Sequence, residues 1–327
     1  MEKMPYVTLQ GTDLVISQVA LGTGNYASDV PEDLSEEMLS AYYEIGGTFY
    51  DTAHLYGRYA AGDRSLSELL IGRWLKKRNI DRSTIIISSK GCANVPGIRS
   101  YKRLTPKHLK EDFEESLLNM GTDYLDFYYL HQDDVTQPVE PMIDALNKLV
   151  KDGKLRYFGC SNWSIDRITK AQDYAKASGQ MGFAATQLMF NMAYPNLSAI
   201  EAVFQAFLTE RIMKFLVDIQ MPFFAYSAQC RGFFYSIFKE EFKIDNQFEK
   251  CRRYYENSEN LIRAQRARQI CEETGMTMSE VLLGYVMSQP VQGFPVVQPT
   301  TKAEFESTFR AMNARLTQNQ MKFILGY

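Results

Sequence analysis

Short runs rich in β-branched and aromatic residues alternate with longer stretches whose apolar positions recur at helical spacing. The chain opens differently. Strand-like residues 6–10 and 14–16 flank Gly11-Thr12-Asp13, a cluster with turn chemistry, so an N-terminal β-hairpin is predicted. Beyond it, strands are predicted over 15–21, 47–50, 84–89, 124–130, 155–159, 183–187, 222–226 and 293–297. Helices are predicted over 34–45, 65–77, 106–119, 141–150, 165–177, most of 199–220, 260–274 and 278–288, with more helix to the C-terminus. Thr105-Pro106 reads as an N-cap followed by proline at the first helical position. Gly153 sits where a left-handed helix cap is wanted.

Eight strands, nearly all followed by a helix, imply a parallel sheet with helical crossovers. The repeat length of about thirty to forty residues is that of one βα unit. Eight such units favour closure, so the expected fold is a (β/α)8 TIM barrel in the α/β class. No break in composition marks a second domain, and one domain over residues 1–327 is expected. The longest interval, from Tyr226 to Val297, is expected to hold a long loop over the barrel mouth after strand 7 as well as two helices.

Composition narrows the function classes. The chain has 327 residues, 45% of them hydrophobic and 23% charged. A net charge of -3, with no block of like charge, gives no electrostatic case for nucleic acid. Lys76-Lys77-Arg78 reads as a solvated helix end. The five cysteines are odd in number and widely spaced, without a CxxC, which suits reduced thiols in a cytoplasmic protein. Residues 1–10 lack an apolar run of signal-peptide length, and no apolar stretch has the length of a membrane span.

In a barrel of this kind, chemistry sits at the C-terminal ends of the strands. Asp51 directly follows the second predicted strand, Lys90 the third and His131 the fourth, and Tyr56 lies in the loop after Asp51. One charged residue at a strand end is ordinarily just where the chain meets water. Three on successive strands, with a tyrosine nearby, would converge on one mouth. A phenol titrates near about 10, and a neighbouring ammonium favours its ionised form. A carboxylate would hold the ammonium, and an imidazole could bond a substrate oxygen. The set suits protonation of a carbonyl oxygen, with hydride from a nicotinamide cofactor. Two other readings are weaker. Gly22-Thr23-Gly24-Asn25-Tyr26-Ala27 fits G-x-G-x-x-[GA], but residues 28–33 read as a loop where a Rossmann fingerprint needs a helix. This places Gly22 and Thr23 in a mouth loop beside the nicotinamide. A metal held by Asp51, His54 and His131 would leave Lys90 and Tyr56 unexplained, so no metal is expected.

The segment Phe49-Tyr50-Asp51-Thr52-Ala53-His54-Leu55-Tyr56-Gly57 resembles the F-x-D-T-A-x-x-Y-G motif of the aldo-keto reductases. Gly121-Thr122-Asp123-Tyr124-Leu125-Asp126, Leu130-His131, Gly153-Lys154-Leu155-Arg156, Gly159-Cys160-Ser161-Asn162, Gln187-Leu188-Met189-Phe190-Asn191 and Ala225-Tyr226-Ser227 resemble further motifs, in the family's order. The resemblance implies that Tyr56 is the proton donor, that Lys90 and Asp51 tune it, and that His131 orients the carbonyl. It implies that Ser161, Asn162 and Gln187 hold the nicotinamide carboxamide, that Tyr226 stacks on the ring, and that Ser227, Gln229 and Arg231 approach the pyrophosphate. The sequence departs from the family at Ala228-Gln229, at residues 298–302 and at Glu306-Ser307-Thr308, leaving Thr308 as a weak adenine contact. Thr300, Thr301 and Lys302 are candidate ligands of a 2′-phosphate, with Glu304 opposing it, and NADP(H) is expected over NAD(H). The expected activity is reduction of an aldehyde or ketone, a small-molecule carbonyl. The alternative is a nucleotide-binding regulatory subunit with little turnover. Neither the physiological carbonyl nor the oligomeric state follows from the sequence. Trp163 reads equally as pocket or core, residues 231–238 as packing, and the loop 93–99 as a determinant of substrate choice.

Overall fold

A computed structural model describes residues 3–58, 62, 64–94, 103–201, 206–238 and 246–327. Strands β1 (Tyr6–Thr8) and β2 (Val15–Ser17) form the expected antiparallel hairpin. There follow β3 (Ala20–Gly22), α1 (Glu32–Glu44), β4 (Phe49–Asp51), α2 (Leu66–Arg78), β5 (Ile86–Gly91), α3 (Pro106–Met120), β6 (Leu125–Leu130), α4 (Glu140–Lys151), β7 (Leu155–Ser161) and α5 (Ile165–Ala177). The chain continues through β8 (Thr186–Met189), α6 (Leu197–Glu201), α7 (Glu210–Asp218), β9 (Phe223–Tyr226), α8 (Phe233–Ser236) and α9 (Asn246–Tyr255). It ends with α10 (Ser258–Thr274), α11 (Met278–Met287), β10 (Gly293–Val297), α12 (Lys302–Arg310) and α13 (Gln318–Leu325). Strands β3 to β10 are parallel and close in the order β10-β3-β4-β5-β6-β7-β8-β9, so the fold is the (β/α)8 barrel. Among the described residues, no helix is long and apolar enough to cross a membrane.

The local signals act as their chemistry requires. Thr105 accepts from the His108 N–H at the start of α3, and Pro106 opens the helix. Gly153 takes a φ of 73° after α4. The fingerprint-like glycines lead into turns that end at Pro31, not into a helix. The loop after β9 carries α8 and α9, and Phe233, Phe234, Cys251 and Tyr255 are buried beneath it, which is the packing reading.

Three predicted boundaries need correction. The strand predicted over 15–21 is two strands, because Val15–Ser17 pairs with β1 whereas Ala20–Gly22 turns into the barrel beside β4 and β10. The strand predicted over 183–187 begins only at Thr186, since Phe183 packs outward against Phe158 and Trp163. The helix predicted over 199–220 is interrupted. Phe207 bridges to Met189, and helix resumes only after Thr209, whose side chain accepts from Ile212 N–H.

Strand alternation sorts the side chains into two cores. Phe49, Ile86, Phe127, Tyr129, Phe224 and Phe294 fill the barrel interior, over a floor of Leu9, Leu14 and Ile16 from the hairpin region. Tyr50, Ile87, Tyr128 and Leu130, one residue along, pack outward under the helices. The same alternation turns Asp51, Ser88 and Lys90 inward, above the aromatic layer.

Candidate functional site

The upper end of the barrel interior is polar because three strands end there in ionisable residues. Lys90, fully buried, donates from Nζ to Asp51 Oδ2 at 2.6 Å, to the Thr52 carbonyl at 2.7 Å and to the Tyr56 hydroxyl at 3.2 Å. Asp51 Oδ1 also accepts from Ser88 Oγ at 2.7 Å and from Gln187 Nε2 at 3.0 Å. Its charge is therefore met by one ammonium and two neutral donors. The rings of Tyr56 and His131 meet edge to face at 5.8 Å between centroids. His131 is placed by β6, its N–H bonding the Gly91 carbonyl at 2.9 Å. The structure thus brings Asp51, Tyr56, Lys90 and His131 together.

Electrostatics assigns protonation states. Burial pushes the Tyr56 phenol up and outweighs the Lys90 ammonium that lowers it, so the net direction is upward. The expectation of a lowered phenol is corrected here: the ammonium acts in the expected sense, but desolvation is larger. Burial pulls Lys90 down, yet Asp51 and Tyr56 push it up by more, and it stays charged. Burial, aided by Lys90 and His54, brings His131 down to about 3, so this imidazole is neutral at neutral pH. Tyr56 and His131 each keep part of their surface at the mouth.

The candidate cofactor residues line the same rim. Ser161 and Gln187 are register partners on β7 and β8. Asn162, with a φ of 63°, follows β7. Its Nδ2 donates to the His131 carbonyl at 3.2 Å and to Ser161 Oγ at 3.0 Å, and its Oδ1 accepts from the Tyr226 hydroxyl at 2.8 Å and from Ala206 N–H at 2.9 Å. The amide is fully engaged and ties β6, β7, β9 and the segment after α6 together. Gly22 ends β3, where an added Cβ would fall 2.9 Å from Val296. Thr23 is buried and bonds the Asp51 carbonyl through both its N–H and its hydroxyl at 3.0 Å. Ser227 and Arg231 adopt left-handed φ values of 57° and 52° in the turns after β9. Arg231 lies over the Tyr254 ring at 4.5 Å. Gln229 and Thr308, both departures from the family pattern, face each other, with Thr308 Oγ1 donating to Gln229 Oε1 at 3.3 Å. At the start of α12, Thr300 donates from N–H and hydroxyl to Glu304 at 2.7 and 2.8 Å, while exposed Lys302 pairs with Glu37 at 2.8 Å. The proposed phosphate ligands Thr300 and Lys302 are thus both engaged with carboxylates.

Sequence reasoning missed several neighbours. Ser88 was readable, in hindsight, as the polar residue two positions before Lys90 on the same strand face. Gln298 had no local signal: its side chain crosses from β10 to bond Asn25 N–H at 3.4 Å, beside Gly24 and Tyr56. His54 lies in a cluster with Arg58, Asp112 and Glu115, away from the expectation that grouped it with Asp51 and His131. Trp163 is 1% exposed and meets Phe183 edge to face, so it is core. The loop 93–99 lies, beyond Asn94, outside the described residues.

Comparison with known proteins bears on this geometry. The uncharacterized oxidoreductase YrpG of Bacillus subtilis (strain 168) is 23% identical over 98% of this chain and 95% of its own length. Norsolorinic acid reductase B of Aspergillus parasiticus is 25% identical, over 98% of this chain and 81% of its own. The aryl-alcohol dehydrogenase [NADP(+)] of Phanerodontia chrysosporium is 23% identical, over 90% of this chain and 75% of its own. The sequence profile of the Aldo/keto reductase family matches residues 18–325, which takes in every barrel strand and all four residues that converge at its mouth. The chain belongs to the aldo/keto reductase family.

Proposed function

We propose that this chain reduces an aldehyde or ketone to the alcohol at the expense of a reduced nicotinamide nucleotide, with Tyr56 as general acid. The observation that carries the reading is the Lys90 Nζ contact at 3.2 Å to the Tyr56 hydroxyl, with Asp51 behind it at 2.6 Å. Tyr56 keeps its proton at neutral pH, so it enters the reaction as an acid. Proton loss leaves a phenolate beside a fixed ammonium, so the charge that develops on Tyr56 is met without rearrangement. Neutral His131, edge-on to Tyr56, directs the carbonyl oxygen toward the phenol.

A nicotinamide nucleotide fits the donor set. Ser161 and Gln187 set a hydroxyl and an amide side by side at the rim, suited to a carboxamide, with Asn162 beside them. When bound, the nucleotide supplies the hydride. Ser227, Gln229 and Arg231 in the turns after β9 are the proposed contacts to its phosphates, in keeping with where barrels bind phosphate. Gly22 and Thr23 close the rim opposite, and Thr308 is the proposed adenine contact. NADP(H) is the proposed nucleotide, a choice supported by the relative named for NADP(+). It requires a 2′-phosphate to compete with Glu37 for Lys302 and with Glu304 for Thr300. A cytoplasmic setting, supported by five free thiols, belongs to the same reading.

The test follows NADPH oxidation with a reactive aromatic aldehyde in wild type and Tyr56→Phe. Turnover lost by about 100-fold or more in the variant, with nucleotide binding retained, is expected of a missing general acid. Full activity in Tyr56→Phe would remove Tyr56 from that role. Tight NADPH binding without turnover across a panel of carbonyls would replace the reductase with a regulatory subunit.

A further inference from the structure

Tyr56 reaches Lys90, on β5, from the turn that follows β4, so the distance between them depends on how that turn is held. Tyr56 sits in a turn, with Gly57 at a φ of 81° behind it. Backbone bonds from Tyr56 N–H to the Ala53 carbonyl at 2.9 Å and from Arg58 N–H to the Leu55 carbonyl at 3.2 Å close that turn, and a set of charges outside the reacting groups braces it against α3. Arg58, two residues beyond Tyr56, is fully buried. Its guanidinium folds back on the turn, donating from Nε to the His54 carbonyl at 2.5 Å, and reaches out to Glu115 of α3 at 2.5 Å. His54 Nε2 lies between the two, 2.6 Å from Arg58 Nη2 and 2.8 Å from the other Glu115 oxygen, and its Nδ1 lies 3.4 Å from Asp112 of the same helix. Asp112 also accepts from the N–H of Cys92, two residues beyond Lys90, at 2.9 Å, and from Arg103 at 2.5 Å. One turn of α3 therefore grips both segments: the one carrying Tyr56 through Glu115, and the one carrying Lys90 through Asp112. A further bond, His54 N–H to the Lys90 carbonyl at 2.9 Å, joins the two segments directly.

Burying a whole guanidinium against a carboxylate costs several kcal/mol in desolvation, and hydrophobic packing of the same volume is commonly as stable. Fold stability alone gives no reason for charge here, whereas rigid positioning does. We propose that His54, Arg58, Asp112 and Glu115 form a clamp that sets the Tyr56 hydroxyl against Lys90, with Arg58 and Glu115 as its principal positioning residues. The proposal rests on the reading of Tyr56 as the acid. Its chemistry is directional: a guanidinium delivers several hydrogen bonds in a fixed plane, so an ammonium at position 58 cannot replace it.

The experiment compares Arg58→Met, Arg58→Lys, Arg58→Ala and Glu115→Gln with wild type. Loss of the clamp is expected to lower kcat by about 10- to 100-fold through misplacement of the acid, with the NADPH dissociation constant unchanged. Guanidinium ion at millimolar concentration is expected to restore part of the kcat of Arg58→Ala. Independently of turnover, the Tyr56 titration is followed by NMR of protein labelled at tyrosine Cζ, with Tyr56→Phe assigning the resonance. Its midpoint is expected to move in Arg58→Met and Glu115→Gln. A folded Arg58→Met with wild-type kcat and an unmoved Tyr56 titration overturns the proposal. If Arg58→Met does not fold, Glu115→Gln decides in its place, since Glu115 is 37% exposed and loses only its charge. A wild type that turns over no carbonyl sinks the reductase reading alone, because the NMR titration still tests the clamp.

Discussion

At the scale of the residue, the site is decided by desolvation competing with nearby charge. His131 shows the balance most clearly, brought down to about 3 by burial, then by Lys90 and His54. In the unfolded chain it titrates near 6.5. Below that pH the unfolded state takes up a proton that the native state refuses, so His131 contributes stability above 6.5 that is lost as pH falls toward 3. Glu115 acts in the same direction at lower pH. Hydrogen bonds from His54 and then Arg58, against its burial, hold it at about 2, so its contribution is complete above 4.5 and is lost as pH falls toward 2. Urea midpoints compared between about pH 7.5 and about 4.5 should therefore fall faster in wild type than in His131→Asn. Parallel curves would mean that His131 is protonated in the folded protein.

At the scale of the element, the helices matter for what they hold against the barrel. Helix α3 carries both clamp carboxylates, and α2 fixes its position. The two helices approach closely at Gly72, where an added Cβ would lie 2.4 Å from the Asn119 carbonyl oxygen and 2.9 Å from Met120 Cα. Both are backbone atoms and cannot swing aside. Gly72→Ala gains about 1 kcal/mol of helix propensity, against an overpacking cost of about 1–3 kcal/mol. The variant is expected to melt a few degrees below wild type, with kcat reduced as α3 shifts. A thermal scan showing a higher Tm would mean that α2 and α3 slide apart freely. Elements also explain the interrupted helix before β9. Met189 N–H bonds the Ala206 carbonyl, and Leu208 N–H bonds the Met189 carbonyl, so this segment serves the rim of β8 instead of continuing as helix.

At the scale of the whole molecule, the barrel is filled with aromatic rings beneath its polar upper end. Phe224 stacks on Phe49 and on Phe294, each at 4.9 Å, with Phe127 and Tyr129 at 6.4 and 6.1 Å. Four strands, β4, β6, β9 and β10, thus meet through one ring beneath Asp51 and Lys90. This layer makes a dry floor, and the ion pair above it works at low dielectric. Phe224→Ala should cost about 3–5 kcal/mol by opening a cavity at the centre of the barrel. Urea denaturation of the purified variant measures it. A loss below about 1 kcal/mol would show that the other rings collapse into the gap.

The sequence by itself determined the repeating strand–helix pattern, hence the closed parallel barrel, because burial on both faces of every strand leaves a strong local signature. It also placed Asp51, Lys90 and His131, since a polar residue at the end of an apolar run must emerge at the mouth, and Tyr56 with them through its motif. It marked Ser161 and Gln187 as neighbours of the same rim. What only the tertiary structure decided are relations between distant segments. Arg58 and Glu115 are 57 residues apart and meet because the turn after β4 lies against α3. Asn162 draws four segments together, and Gln298 reaches a loop 273 residues earlier in the chain. The direction of the Tyr56 shift belongs here too. A lysine beside a phenol is legible in a motif, but the competing desolvation depends on how much protein closes over both, and that is fixed only when the barrel is formed.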